Sequence, residues 1–217
     1  MIDNTDDRVP RYSLAGRLMH WTVALAFILL FVSGLALFHP YFFWITGFFG
    51  GGAFTRVLHP YIGAVLSLFF FVYAAGIWRD NLLLPSDRVW LKRSFDILNK
   101  KVEIPVEGKY NAGQKVLFWF MLAVIVGLLV SGFFFWRPYF APLFSANTRR
   151  IAVVAHVFFA FVMFVEIGIH IYAAIWTRGS ITGMIRGYVS RAWAKFHYAG
   201  WYRRVEAAPQ EKKEHVT

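Results

Sequence analysis

Four stretches of the chain are apolar almost without a break, at about 18–38, 57–78, 116–136 and 151–176. Each holds roughly 20 residues, the length a helix needs to cross the hydrocarbon core of a bilayer. The apolar residues run continuously and do not alternate, so the pattern predicts helices and not barrel strands. The polar stretches between them are short, with one exception. An aromatic connection, YFFWITGFFGGGAFTR, follows the first span and carries glycines at 50–52. The longest connection covers about 80–113, and within it DRVWLKRSFDILNK reads as an amphipathic helix. Val89, Trp90, Phe95, Ile97 and Leu98 would lie on the membrane surface. The short connection PYFAPLFSANT leads to the fourth span. No internal repeat or linker is apparent. The expectation is an all-α membrane protein: one domain over 1–217, a four-transmembrane-helix bundle, with flexible tails at 1–12 and 205–217.

Composition strengthens this picture. The chain is 58% hydrophobic, with 24 Phe, 10 Tyr and 9 Trp in 217 residues, whereas soluble domains average under half apolar. The net charge of +11 first suggests an acidic partner, but its distribution explains it. Nineteen of the 23 Lys and Arg fall in the N-terminal arm, the 79–115 segment and the C-terminal tail. Only Arg56, Arg137, Arg149 and Arg150 fall in the other two connections. The positive-inside rule then places both termini and the long loop of this multi-pass protein in the cytoplasm. These charges flank spans, so anionic lipid is a sufficient partner and nucleic acid is not called for. The first apolar run is a full span behind a basic arm, which reads as a retained helix and not a cleaved signal. The absence of cysteine excludes disulfides, cysteine-ligated iron–sulfur clusters and c-type haem attachment in this chain.

The candidate chemistry lies in histidines. His39, His197 and His215 fall at span ends or outside them and read as interface or tail residues. His20, His59, His156 and His170 lie within spans. With the N-terminus inside, His20 opens the first span near the inner face, and His170 is near the same face on the fourth. His59 and His156 open spans two and four near the outer face. Topology alone therefore sorts the four into two level pairs. His156 and His170 are fourteen residues apart, which puts them on nearly one face of a helix, about 21 Å apart along its axis. Neutral imidazole ligates iron well. A haem edge-on between two helices takes one histidine from each, so two stacked haems would form an electron path across the bilayer. Arg17, Arg56, Arg149 and Arg150 are candidate propionate partners. Gly34, Gly63, Gly127, Gly132 and Gly168 suit either helix packing or close approach of a large ring. A tetrahedral zinc or copper site is excluded by the split into pairs. A proton relay leaves the pairing unexplained.

The words RLMHW at 17–21, RVLHPYIG at 56–63, GKYNAGQK at 108–115, SGFFFWRPYF at 131–140 and GSITGMIRGYVSRAWAKFH at 179–197 carry a resemblance. Together with the His156 and His170 pair, over about 12–204, the chain resembles the cytochrome b (gamma) subunit of respiratory membrane-bound formate dehydrogenases. The resemblance implies two b haems: an inner one on His20 and His170, an outer one on His59 and His156. It implies a quinone, menaquinone or ubiquinone, reduced on the cytoplasmic side with Asn111, Gly113, Gln114 and His170. It also implies partners: an iron–sulfur (beta) subunit and a molybdenum- or tungsten-containing catalytic (alpha) subunit, with electrons moving from the periplasm inward and contributing to the proton-motive force. In that arrangement the chain is the electron-transfer and quinone-reducing subunit, and formate oxidation lies elsewhere. On the residues alone, NAGQ opens the third span and suits either an N-cap or a site for developing negative charge at a helix N-terminus.

Two rival readings differ in class. One is the cytochrome b subunit of a nickel–iron hydrogenase or a thiosulfate-type reductase, which shares the paired-histidine plan. The other is a transporter or a membrane anchor with no redox role. Glu166 stands apart: it lies one turn before His170, and a carboxylate in hydrocarbon is costly. Tuning of the inner haem and simple packing as a protonated side chain are both open readings of it.

Overall fold

The computed structural model describes residues 7–99, 104, 106–137 and 139–214, without the side chains of 98 and 208–214. The expected mobility of 1–6 and 215–217, His215, the charges of Lys100 and Lys101, and Pro138 lie outside the described residues.

Four long helices match the four apolar stretches: α1 (Leu14–Phe38), α2 (Gly52–Ile77), α5 (Ala112–Phe135) and α6 (Ala146–Trp176). All four are long and apolar enough to cross a membrane. Each begins several residues earlier than the apolar run, and polar side chains cap three of them, α1, α5 and α6. Ser13 Oγ accepts from Gly16 N–H ahead of α1, and Ser145 Oγ accepts from Thr148 N–H ahead of α6. Large side chains stay exposed along them, such as Leu25 at 60%, Leu68 at 63% and Phe161 at 65%. Helices apolar on every side, without a polar face, suit lipid and not water.

Shorter elements fill the rest: α3 (Pro85–Lys92) and α4 (Ser94–Leu98), then α7 (Ser180–Arg186), α8 (Arg191–His197) and α9 (Ala199–Glu214). The amphipathic segment expected as one helix is two, broken at Arg93. Val89 and Phe95 are exposed as expected for a surface helix. Trp90 is only half-buried and turns toward Gly113, where a Cβ would lie 3.2 Å from its ring. The N-terminal arm, expected to be flexible through residue 12, contains a strand, β1 (Arg8–Pro10). It pairs antiparallel with β2 (Tyr188–Ser190), with Val9 opposite Val189. Gly187 at φ 88° turns the chain into β2 and its carbonyl accepts from Arg11 N–H at 2.8 Å. Likewise, α9 continues to Glu214 across residues expected to be flexible.

Where one domain was expected, the residues gather into two compact units. The first comprises Met1–Arg17, Ile77–Trp119 and Ala173–Thr217. Its core is Val9, Val189, Ala194, Tyr198, Trp201 and Tyr202. Arg11 is buried among aromatic rings, 4.0 Å from the Tyr198 centroid and 4.7 Å from that of Trp201, and its Nη2 donates to the Lys109 carbonyl at 2.7 Å. Burial pushes the Tyr198 phenol above its ordinary pKa, against the opposing pull of Arg11. Lys115 and Asp87 form a buried ion pair at 2.7 Å. The second unit, Leu18–Gly76 and Phe120–Tyr172, contains the bulk of the four long helices.

Candidate functional site: two histidine pairs

The second unit contains all four span histidines, and it brings them together in twos. The His59 and His156 rings, from α2 and α6, are 6.3 Å apart between centroids. The His20 and His170 rings, from α1 and α6, are 6.1 Å apart. These are the pairs that topology predicts, and they are called outer and inner after that orientation. Two imidazoles this close could each offer one ring nitrogen to a single metal ion. Among the described residues no group of three or more His, Cys, Asp or Glu could hold a metal ion. Each site thus offers two nitrogens, a donor set that suits a porphyrin supplying the other four.

At the outer pair each ring has a defined partner through Nδ1. Ser131 on α5 and the Leu128 carbonyl each lie 3.0 Å from His156 Nδ1. A carbonyl only accepts, so this Nδ1 carries the hydrogen and Nε2 keeps a lone pair for a metal. On α1, Ser33 Oγ lies 2.8 Å from His59 Nδ1. Glycine follows each serine. A Cβ on Gly34 would stand 3.2 Å from His59 Cε1, and one on Gly132 would stand 3.3 Å from His156 Cε1. Two of the glycines left open by sequence therefore make room for the histidine rings themselves. Gly127 instead accommodates Phe159, whose ring a Cβ would meet at 2.7 Å.

The inner pair is built differently. Trp21 approaches His20 edge-on at 5.2 Å. His20 Nδ1 is buried with no hydrogen-bond partner among the described residues. Glu166 is 2% exposed, and neither of its carboxyl oxygens has a partner. The Nε of Arg17, one turn before His20 on α1, is likewise buried and unpartnered, which fits a group that accepts hydrogen bonds, such as a propionate. Of the other arginines considered, Arg149 already donates to the Ala141 carbonyl at 3.1 Å.

The NAGQ residues belong to the first unit, and His170 belongs to the second. Asn111 Oδ1 accepts from Gln114 N–H at 2.9 Å, and Gln114 Oε1 accepts from Asn111 N–H at 3.0 Å. This reciprocal pair is a capping box in which amides take the usual roles, so the N-cap reading of the word holds. Tyr198 also donates to Gln114 Oε1 at 3.1 Å. Both amide oxygens are thereby engaged. Gly113 has a packing reason of its own in Trp90 and Asn111 Oδ1. Among the remaining histidines, His39 caps the 3₁₀ turn Pro40–Phe49 by accepting from Tyr41 N–H, and His197 packs on Trp193.

The serines were not singled out from sequence. Their signal was present as two Ser-Gly pairs, each followed by a histidine, with separations of 26 and 25 residues from serine to histidine. The outer site is built from two helical hairpins that repeat one arrangement.

Residues 11–187 match the prokaryotic cytochrome b561 family. The chain is 41% identical over 208 residues to the formate dehydrogenase cytochrome b556(fdo) subunit of Escherichia coli, covering 96% of this chain and 98% of that one. It is 38% identical to the cytochrome b556 subunit of formate dehydrogenase from Haemophilus influenzae, over 92% and 84% of the two chains. The nitrate-inducible cytochrome b556(Fdn) subunit of Escherichia coli is 38% identical, over 94% and 95%. With four apolar spans and near full-length likeness to these subunits, the chain is a multi-pass membrane protein that belongs to the formate dehydrogenase cytochrome b556 subunits within the prokaryotic cytochrome b561 family.

Proposed function

We propose that this chain is the membrane subunit through which a formate dehydrogenase complex delivers electrons to quinone. The observation that carries the proposal is the pair of bis-histidine sites, with rings 6.1 and 6.3 Å apart. His59 and His156 would hold an outer b haem, and His20 and His170 an inner one. Haem iron bound in this way supplies one-electron transfer by cycling between ferric and ferrous. The residues of the chain do the rest. The four imidazoles fix where electrons enter and leave. The apolar spans exclude water between them. Asn111, Gly113, Gln114 and His170 would bind a menaquinone or ubiquinone head.

Electrons would come from a periplasmic iron–sulfur subunit, fed by a molybdenum- or tungsten-containing subunit that oxidises formate. Quinone reduction at the inner face takes up two electrons and two protons, the protons from the cytoplasm, and so contributes to the proton-motive force. The Lys and Arg bias supports both termini in the cytoplasm of an inner-membrane protein. The nearness of the relatives favours formate over a hydrogenase or thiosulfate-type partner.

The test is a reduced-minus-oxidised spectrum of the purified chain in detergent, with haem quantified. Two b haems per chain are expected. A chain purified from a haem-replete host that shows no b-type α-band would overturn the proposal.

A further inference from the structure

The outer pair contains a device that the haem assignment does not need. Ser33 is fully buried on α1 and touches two groups: the Leu30 carbonyl at 3.2 Å and His59 Nδ1 at 2.8 Å. Ser131 is buried on α5 and has a similar set: its hydroxyl reaches the Gly127 carbonyl at 2.6 Å and the Leu128 carbonyl at 3.1 Å, and its oxygen lies 3.0 Å from His156 Nδ1. A serine in a helix commonly gives its proton to the carbonyl three or four residues back. Its oxygen is then free to accept. At His156 the direction is forced, because the Leu128 carbonyl also faces Nδ1. At Ser33 the Leu30 carbonyl offers the hydroxyl proton the same outlet, and by analogy with His156 we take His59 Nδ1 as the donor to Ser33 Oγ.

We infer that Ser33 and Ser131 are positioning residues of the outer haem, which hold both axial imidazoles in the Nδ1–H form and set the potential of that haem. This rests on the haem reading above. Each relay runs from imidazole N–H to serine oxygen and from serine O–H to a helix carbonyl. It locks ring rotation and aims Nε2 inward. An acceptor on Nδ1–H also draws the proton away from the ring and makes Nε2 a stronger donor. A stronger donor favours ferric iron, so the serines lower the outer haem's potential. Gly34 and Gly132 belong to the same device: they let the serine-bearing helices come close enough for the bond, since a Cβ there would crowd each ring at Cε1. The two halves are unequal. His156 keeps the Leu128 carbonyl when its serine is lost, whereas Ser33 is the Nδ1 partner the structure provides for His59.

The experiment is optical redox titration of the purified subunit, with low-spin ferric EPR, for wild type, Ser33→Ala, Ser131→Ala and Ser33→Thr. Ser33→Ala is expected to raise the outer midpoint, by a shift approaching tenfold in the redox equilibrium, or about 59 mV for one electron. Ser131→Ala should raise it less. Ser33→Thr, which keeps the hydroxyl, should restore it. The inner midpoint should stay put throughout. If Ser33→Ala loses the outer haem altogether, Ser33→Thr must recover it, and failure to do so makes the serine a packing residue and sinks the inference. Both haems present with unmoved outer midpoint and EPR signal in Ser33→Ala would also sink it. Absence of haem from the wild type would instead overturn the proposed function, so the two failures are distinguishable.

Discussion

The outer and inner histidine pairs have nearly the same ring separation and opposite surroundings. The outer rings are tied through Nδ1 to serine hydroxyls on neighbouring helices, with glycine beside each serine. At the inner pair, the His20 Nδ1 and both Glu166 oxygens are buried without a partner. A buried polar group left unsatisfied costs about 1–3 kcal/mol. The outer site is therefore organised by the protein alone. The inner site stores an unmet demand for hydrogen bonds. Equal spacing of ligands does not make equal sites, and the difference is set by the atoms behind the rings.

The largest expected effect would break the comparison outright. His59→Ala and His156→Ala should each remove one of two haems and leave the same spectrum behind, while His20→Ala and His170→Ala should leave the complementary one. Haem content and difference spectra of the four variants measure this, and any other grouping would dissolve the pairs. Next in size is Gly132→Leu, which drives a large side chain into His156. Outer-haem occupancy should collapse with the inner haem retained, and the milder Gly132→Ala should cost about 1–3 kcal/mol of stability by overpacking, read by thermal unfolding in detergent.

A change of sign sharpens the comparison. Glu166→Leu removes two unsatisfied oxygens, so stability in haem-free detergent preparations should hold or rise by about 1 kcal/mol. Ser33→Ala removes a satisfied group and leaves the His59 N–H unpaired, so stability should fall by a similar amount. Parallel unfolding curves decide it, and a fall for Glu166→Leu would mean that the carboxyl has a partner in the folded chain. The smallest effect belongs to Tyr198→Phe, which deletes one hydrogen bond to Gln114. For about 0.5–1.5 kcal/mol, a roughly threefold to tenfold rise in the quinone KM is expected, with both haems unchanged in the spectrum.

Much of this was legible in the chain. Spans show in unbroken apolar runs, because lipid demands apolar residues on every side of a helix. The histidine pairs follow from charge bias and span order, because each crossing reverses depth. The serines were harder to see. A serine next to a glycine in a span has an ordinary packing role, and only the histidine some 25 residues on, across a helical turn-back, gives it another. The β1–β2 pairing was hidden for a different reason. Strands of three residues carry no period, and their partner lies at the far end of the chain. The amphipathic segment kept its exposed face, but Trp90 answers to Gly113 across the first unit, which no local pattern records.

That first unit has a consequence for how the protein is made. Its core joins Val9 to Val189, and its buried Arg11 donates to Lys109, 98 residues away. Three separate pieces of chain supply it, and the last is Ala173–Thr217. During synthesis, the helices bearing His20, His59 and His156 emerge before the strand that closes this core. Completion must wait for the C-terminal segment, since contacts so distant in sequence form late. The β1–β2 ribbon thus works as a clasp fastened at the end of translation, and a chain truncated before Tyr188 would carry all four ligands yet never fasten it.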